Sequence, residues 1–193
     1  MMSEKVKIHK TSIVGKNSKI GVGTKIWHFS HIMDKTIIGK NCNIGQNVFI
    51  AENVKIGNNV KIQNNVSLFN GIICEDNVFI GPSAVFTNVI NPRSQINRRK
   101  EFKKTTIKIG STVGANSTII CGLRLGKYSF VGAGSVVTKN INDFEVVVGN
   151  PAKHIYWMSK AGLKLIFNKN NIAYCKISKE KYFLKNGKVK VIK

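Results

Sequence analysis

Every sixth residue from Ile8 is apolar: Ile8, Val14, Ile20, Ile26, Ile32, Ile38, Ile44, Ile50, Ile56, Ile62, Leu68, Cys74, Ile80 and Phe86. In a chain that is 42% hydrophobic, fourteen in register arise by chance on the order of once in several hundred thousand, so the period is a true repeat. Glycine often follows the aliphatic (15, 21, 39, 45, 57, 81), and a small or β-branched residue usually stands two before it (Cys42, Val48, Val54, Val60, Val66, Val78). Residues two apart in a strand share a face, so these pairs point inward and the residue between them points out. The glycine is expected to supply a positive φ at each corner. Each hexapeptide is then a short strand plus a corner, and three make a triangular coil of 18 residues that stacks in parallel on its neighbours. An amphipathic helix would need a period of 3.6 and would not tolerate the glycines.

The register breaks once. It resumes three places out of phase at Ile107, Val113, Ile119, Leu125, Val131 and Val137. The intervening TNVINPRSQINRRKEFKKTT puts polar, proline and basic residues where the ladder needs aliphatics, which predicts a loop over 88–106 thrown out from the coil. After VVGNPAK the repeat ends. Ile155, Trp157, Met158, Ala161 and Leu165 follow Pro151 at mixed helical spacing and predict a short helix capping the solenoid. The last stretch alternates around Asn186-Gly187 and predicts a hairpin. The expected domains are 1–151, the β-helix, and 152–193, a helix-and-hairpin extension.

Charge then changes the picture. The chain carries 31 Lys+Arg against 9 Asp+Glu, a formal net charge of +22 over 193 residues. Residues 1–87 contribute +5 and residues 88–193 contribute +17, of which residues 153–193 alone contribute +10. Such an excess suits a polyanionic partner, but the sequence is rich in Ile, Asn and Lys throughout, so lysine on any solvated surface accounts for most of it, and neither a nucleic-acid nor a membrane partner is expected. Cys42, Cys74, Cys121 and Cys175 are irregularly spaced and without a CxxC pair, which predicts reduced thiols used as small hydrophobes. No window is long and apolar enough for a signal peptide or membrane span, and a cytoplasmic protein is expected.

The hexapeptide pattern over residues 8–160 resembles the bacterial acyltransferases of the left-handed parallel β-helix class. The left hand comes from that resemblance, since general chirality favours right-handed crossovers. The strings KIWHFSHI (25–32), IGQNVFI (44–50), VKIQNNVSL (60–68), FIGPSAVFTNVINPRS (79–94) and VVGNPAKHIYWMS (147–159) are similar to nucleotide-linked amino-sugar N-acetyltransferases. The resemblance implies an all-β, homotrimeric enzyme with sites between subunits, which uses acetyl-CoA and no metal to acetylate the 3-amino group of a sugar destined for bacterial surface polysaccharide such as lipopolysaccharide O-antigen. The NVINPRS context favours UDP-2-acetamido-3-amino-2,3-dideoxy-glucuronic acid over the dTDP-3-amino-3,6-dideoxyhexoses.

In that chemistry the substrate brings its own nucleophile, so the protein must align amine and thioester and offer hydrogen bonds. The resemblance points to Asn88, in FTN, as the amide that holds the reacting amine; an asparagine there also suits a turn. His28 falls at a corner and His31 points out from a strand, and both can contact substrate, His28 also as a base. A zinc site would need three converging histidines, and His9 and His154 lie at opposite ends of the chain. Gln63, Asn64 and Asn65 share one corner, where amides can read a base edge or sugar hydroxyls. Arg93, Arg98 and Arg99 can clamp a pyrophosphate or carboxylate. The pantetheine arm of CoA is expected along Gly114, Ala115, Gly132 and Ala133, with its phosphates near Lys139 or Lys153.

Overall fold

The computed structural model describes residues 5–192. Strands of mostly two residues stack in parallel into three long sheets, with offsets of 18 residues between partners: Lys7 pairs with Lys25, Ile13 with His31 and Lys19 with Ile37. The first face carries nine strands, the second seven and the third six. Inside runs the predicted ladder; Ile32, Ile44, Ile50, Ile62, Leu68 and Ile80 have no exposed surface. From Thr24 onward, a polar residue two before the aliphatic is buried and satisfied, as when Thr24, Ser30 and Ser111 donate their hydroxyls to the carbonyls of Gly39, Gly45 and Gly126 at 2.8, 2.8 and 2.6 Å.

The insertion leaves this lattice undisturbed. Across it the pairing offset becomes 33 residues in all three sheets, Ile73 with Thr106, Phe79 with Thr112 and Val85 with Thr118, so 15 extra residues leave between Phe86 and Thr105 and the coil closes behind them. Thr87 and Thr105 frame the gap: their hydroxyls accept the amides of Cys121 and Gly122 at 2.9 and 3.1 Å.

Two expectations are corrected. The glycines directly after the aliphatic do not carry the positive φ; it falls two residues later, at Asn41, Asn47, Asn53, Asn59, Asn65 and Asn77 and at Gly23, Gly71, Gly110 and Gly122. Asparagine tolerates the left-handed region through local hydrogen bonding, which explains that column. The glycine after the aliphatic is required by space instead: a Cβ on Gly21 would lie 2.5 Å from the backbone of Gly39 in the next coil.

The second correction concerns the expected helix. Lys153–Trp157 is a strand, antiparallel to Glu145–Val148, and the only helical turn among the described residues is the 3-10 segment Arg99–Glu101. Glu145–Val148 ends the parallel ladder with an unpaired edge, and the β-prone His-Ile-Tyr-Trp run satisfies it. The hairpin forms as expected, with Glu180–Lys185 and Lys188–Ile192 joined by Asn186 and Gly187, both at positive φ. Ile172–Cys175 adds a third strand. This sheet packs on the last coils through a second small core, in which Tyr182 is fully buried and stands edge-on to Phe144, which in turn stacks on Tyr128.

Candidate functional site

The repeat places the sequence-predicted residues in columns. At the corner between the first and second faces, consecutive coils contribute Trp27-His28-Phe29, Gly45-Gln46-Asn47, Gln63-Asn64-Asn65, Gly81-Pro82-Ser83, Gly114-Ala115-Asn116 and Gly132-Ala133-Gly134. Backbone bonds tie each level to the next: Asn47 N–H to the His28 carbonyl (2.9 Å), Asn65 to Gln46 (3.0 Å), Ser83 to Asn64 (3.0 Å), Asn116 to Pro82 (2.9 Å) and Gly134 to Ala115 (2.8 Å). His28, Gln63, Asn64 and Asn65 and the small residues expected along pantetheine therefore share one continuous edge, from which His31, Arg93 and Arg98 lie apart.

His28, Gln63 and Asn64 line a shallow cavity of about 280 Å³ there, with Trp27, Asn43, Gly45 and Gln46. Trp27 is fixed by its indole N–H, which donates to Asn43 Oδ1 at 2.8 Å, and Lys7 Nζ lies 5.2 Å from its ring. Asn65 is spent on the ladder itself, accepting at Oδ1 from the Asn47 amide at 3.0 Å. His9, which sequence reading rejected as a metal ligand, joins the site another way: its ring lies 3.6 Å from that of His28. Partial burial and the neighbouring His28, Lys10 and Lys7 lower its pKa below the ordinary 6.5. The signal was its position one coil before the KIWHFSHI string. Among the described residues no group of three or more His, Cys, Asp or Glu is placed to hold a metal ion.

The small residues have a steric reason of their own. A Cβ on Gly81 would lie 2.6 Å from Ala115 N, and one on Gly114 would lie 2.5 Å from Ala133 N. A Cβ on Gly132 would meet Val148 Cγ1 at 2.5 Å. Bulk is excluded from this column by coil stacking as well as by any ligand laid along it.

Asn88 sits elsewhere. It follows Val85–Phe86 at the corner between the second and third faces, half-buried, with its carbonyl accepting from Lys103 N–H at 2.9 Å to close the loop's neck. The loop borders an open hollow of about 670 Å³ lined by Arg93, Arg98, Arg99, Ile96 and Phe102 among others. The Arg98 guanidinium is already held by both carboxylate oxygens of Glu101, at 2.9 and 2.8 Å, while its buried Nε has no partner among the described residues.

Lys139 lines a cavity of about 180 Å³ with Glu145 and His154. Glu145 accepts from Asn142 N–H at 2.6 Å and faces His154 Nδ1 at 3.3 Å, so this hollow holds an acid beside the lysine expected to meet phosphate. Lys153 is exposed on the antiparallel strand opposite Val148.

His31 lies on the second face, whose outward positions are Ile13, His31, Phe49, Ser67, Val85, Thr118 and Val136. That face has no lysine, arginine or carboxylate, in a chain of net charge +22. Its two edges are the His28 corner and the Asn88 loop.

Comparison with known proteins follows this architecture. Models of the bacterial transferase hexapeptide (six repeats) match residues 17–52 and 35–70, and the hexapeptide repeat of succinyl-transferase matches 106–139. The chain is 43% identical over 177 residues, 92% of its length and 91% of the relative's, to a dTDP-3-amino-3,6-dideoxy-alpha-D-galactopyranose 3-N-acetyltransferase of Aneurinibacillus thermoaerophilus. The chain belongs to the hexapeptide-repeat transferase family. It is an acyltransferase by that membership. A tetrahydropyridine-2,6-dicarboxylate N-acetyltransferase of Staphylococcus aureus shares 38% identity over 79 residues, 41% of this chain and 30% of that protein. In fold, the chain is similar to a hexapeptide transferase family protein from Anaplasma phagocytophilum (TM-score 0.56, 19% identity, 81% of both chains). It is also similar to the acetyltransferase domain of PglB from Neisseria gonorrhoeae, solved with acetyl coenzyme A (TM-score 0.53, 20% identity, 79% of this chain and 58% of that one).

Proposed function

We propose that this transferase moves the acetyl group of acetyl-CoA to the 3-amino group of a dTDP-3-amino-3,6-dideoxyhexose. The 43% identity across 92% of the chain to an enzyme of that name carries the reading. The amine nitrogen attacks the thioester carbonyl, a C–N bond forms and the C–S bond breaks. The proton leaves the nitrogen for the departing thiolate, so no strong base is demanded of the protein. Asn88 holds the amine, His28, Gln63 and Asn64 hold the sugar nucleotide, and the Gly114–Ala133 column receives the pantetheine arm.

Asn88 and His28 flank the uncharged second face from opposite edges. An exposed apolar face on an otherwise cationic chain is a contact surface, with Ile13 and Val85 64% and 48% exposed. We infer a homotrimer packed through this face, in which one subunit's His28 corner meets its neighbour's Asn88 loop and each site is shared.

The second reading, a UDP-linked 3-amino uronic acid, has the loop arginines in its favour, since a guanidinium suits a sugar carboxylate. Glu101 already takes Arg98 Nη1 with both its carboxylate oxygens, which weakens it. CoA release followed with a thiol reagent separates the two. The dTDP-amino sugar is expected to exceed the UDP-uronic acid in kcat/KM by at least about a hundredfold, the discrimination that mispaired buried polar groups produce. The reverse order would select the second reading, and no release with either would remove both.

A further inference from the structure

The three-stranded sheet at the end of the chain has one face in the small core and one free. Ala173, Tyr182 and Val189 are 2%, 0% and 4% exposed. On the other face the pairs Ile172–Phe183–Lys190 and Tyr174–Lys181–Ile192 run across the strands, with Lys185 opposite Lys188 beside the turn. Four apolar residues thus interleave with four lysines, with no carboxylate on the sheet itself; at one edge Asp143 and Arg124 of the last coils border Lys188 and Lys190. Tyr174 is 60% exposed, and the adjoining turn lifts Ile177, 62% exposed, between Lys176 and Lys179. Lys188 and Lys190 also border a hollow of about 330 Å³ with Phe183. The one acid of residues 153–193, Glu180, is turned away to Lys160 Nζ (2.6 Å) and the buried Tyr182 hydroxyl (2.9 Å).

We propose that this face docks on an anionic phospholipid surface. Charge complementarity sets the partner's sign. The apolar tips decide its kind: an isoleucine lifted into solvent between lysines gains by entering the acyl boundary, and a tyrosine ring suits the headgroup level. Stacked bases offer nothing to the isoleucines. The cations of this segment are all lysine, whereas nucleic-acid recognition leans on the arginine fork. Contact through lysines and the tips of a few apolar side chains makes the attachment peripheral and reversible. It is independent of acyl transfer.

Sedimentation with sucrose-loaded vesicles tests it, comparing pure phosphatidylcholine with phosphatidylcholine containing about 30 mol% phosphatidylglycerol. The full chain is expected to pellet with the anionic vesicles and not the neutral ones. K188E/K190E should weaken that binding by about 25-fold or more, and Y174S/I177S should abolish the part that survives high salt. Both variants alter exposed side chains, and an unchanged melting temperature and CoA-release rate confirm that they fold. Equal retention on both vesicle types, or binding indifferent to these substitutions, overturns the proposal. A single-stranded oligonucleotide that binds more tightly than the vesicles and competes them away overturns it in favour of a nucleic acid.

Discussion

Glu75 and Lys108, 33 positions apart, meet at 2.6 Å across the point where the coil is interrupted. The second carboxylate oxygen of Glu75 accepts the Ile109 amide at 3.0 Å. One side chain thereby joins the last residues before the insertion's coil to the first coil after it.

Glu75→Gln is expected to cost about 1 kcal/mol, because the pair is partly solvated and keeps one neutral hydrogen bond. Partial burial pushes the Glu75 carboxyl up, but Lys108 and the Ile109 amide outweigh it and hold its pKa below the ordinary 4.5. A depressed folded pKa contributes stability above 4.5 that is lost as pH falls through the folded value. Urea melts at pH 7 and pH 3 should therefore differ less in the variant than in the parent; an equal pH dependence would contradict the pairing.

Gly114→Ala and Gly134→Ala separate two uses of glycine. A Cβ at 114 would lie 2.5 Å from Ala133 N, whereas one at 134 meets nothing within 4 Å and faces only a φ of +67°. Thermal unfolding should show a loss of about 3 kcal/mol or more for the first, as in overpacked cores, and about 1 kcal/mol for the second.

Lys35 occupies the left-handed corner position, at φ 58°, that asparagine fills at the next five corners, from Asn41 to Asn65. Lys35→Gly removes the steric cost without touching the ladder and should stabilise the protein by about 0.5–1 kcal/mol. A lowered midpoint in urea would show the lysine side chain to be worth more than the strain.

His9 titrates below 6.5 partly because His28 lies against it. His28→Ala removes one of the neighbouring charges, and the His9 imidazole followed by NMR should move up toward its ordinary value. If it stays where it is, burial and the two lysines suffice without the stack.

Asn88→Ala should lower kcat by about 10²-fold or more while leaving melting unchanged, since the bond that closes the loop's neck is to the Asn88 backbone carbonyl, which the substitution keeps. Near-normal turnover would take Asn88 out of the mechanism.

The ladder was legible because each inward position imposes the same demand every six residues, and the insertion was legible because Arg93 to Lys104 cannot meet it. The corner asparagines stood in plain view at 41, 47, 53, 59, 65 and 77, yet glycine drew the positive φ because the contact that requires Gly21, the backbone of Gly39 one coil away, is not a local property. Lys153–Trp157 was misread for a related reason: its apolar spacing suits either structure, and the open edge of Glu145–Val148 that decides between them is created only by the folded ladder. In the site, counting sixes puts His28 and Asn64 at corners, whereas Ala115 joins their column only through the 33-residue offset across the insertion, which the strand pairing reveals. The stacking of His9 on His28 does not follow from that count, because those residues are 19 apart and step outside the 18-residue repeat.

Thr87 and Thr105 hand the backbone across the insertion as though nothing lay between them. The solenoid therefore cannot sense what the intervening segment is or how long it is. Scaffold and loop are separable parts joined at a fixed socket, and a segment of different length and charge that keeps Asn88 at its start can be set between those two threonines without refolding a single coil.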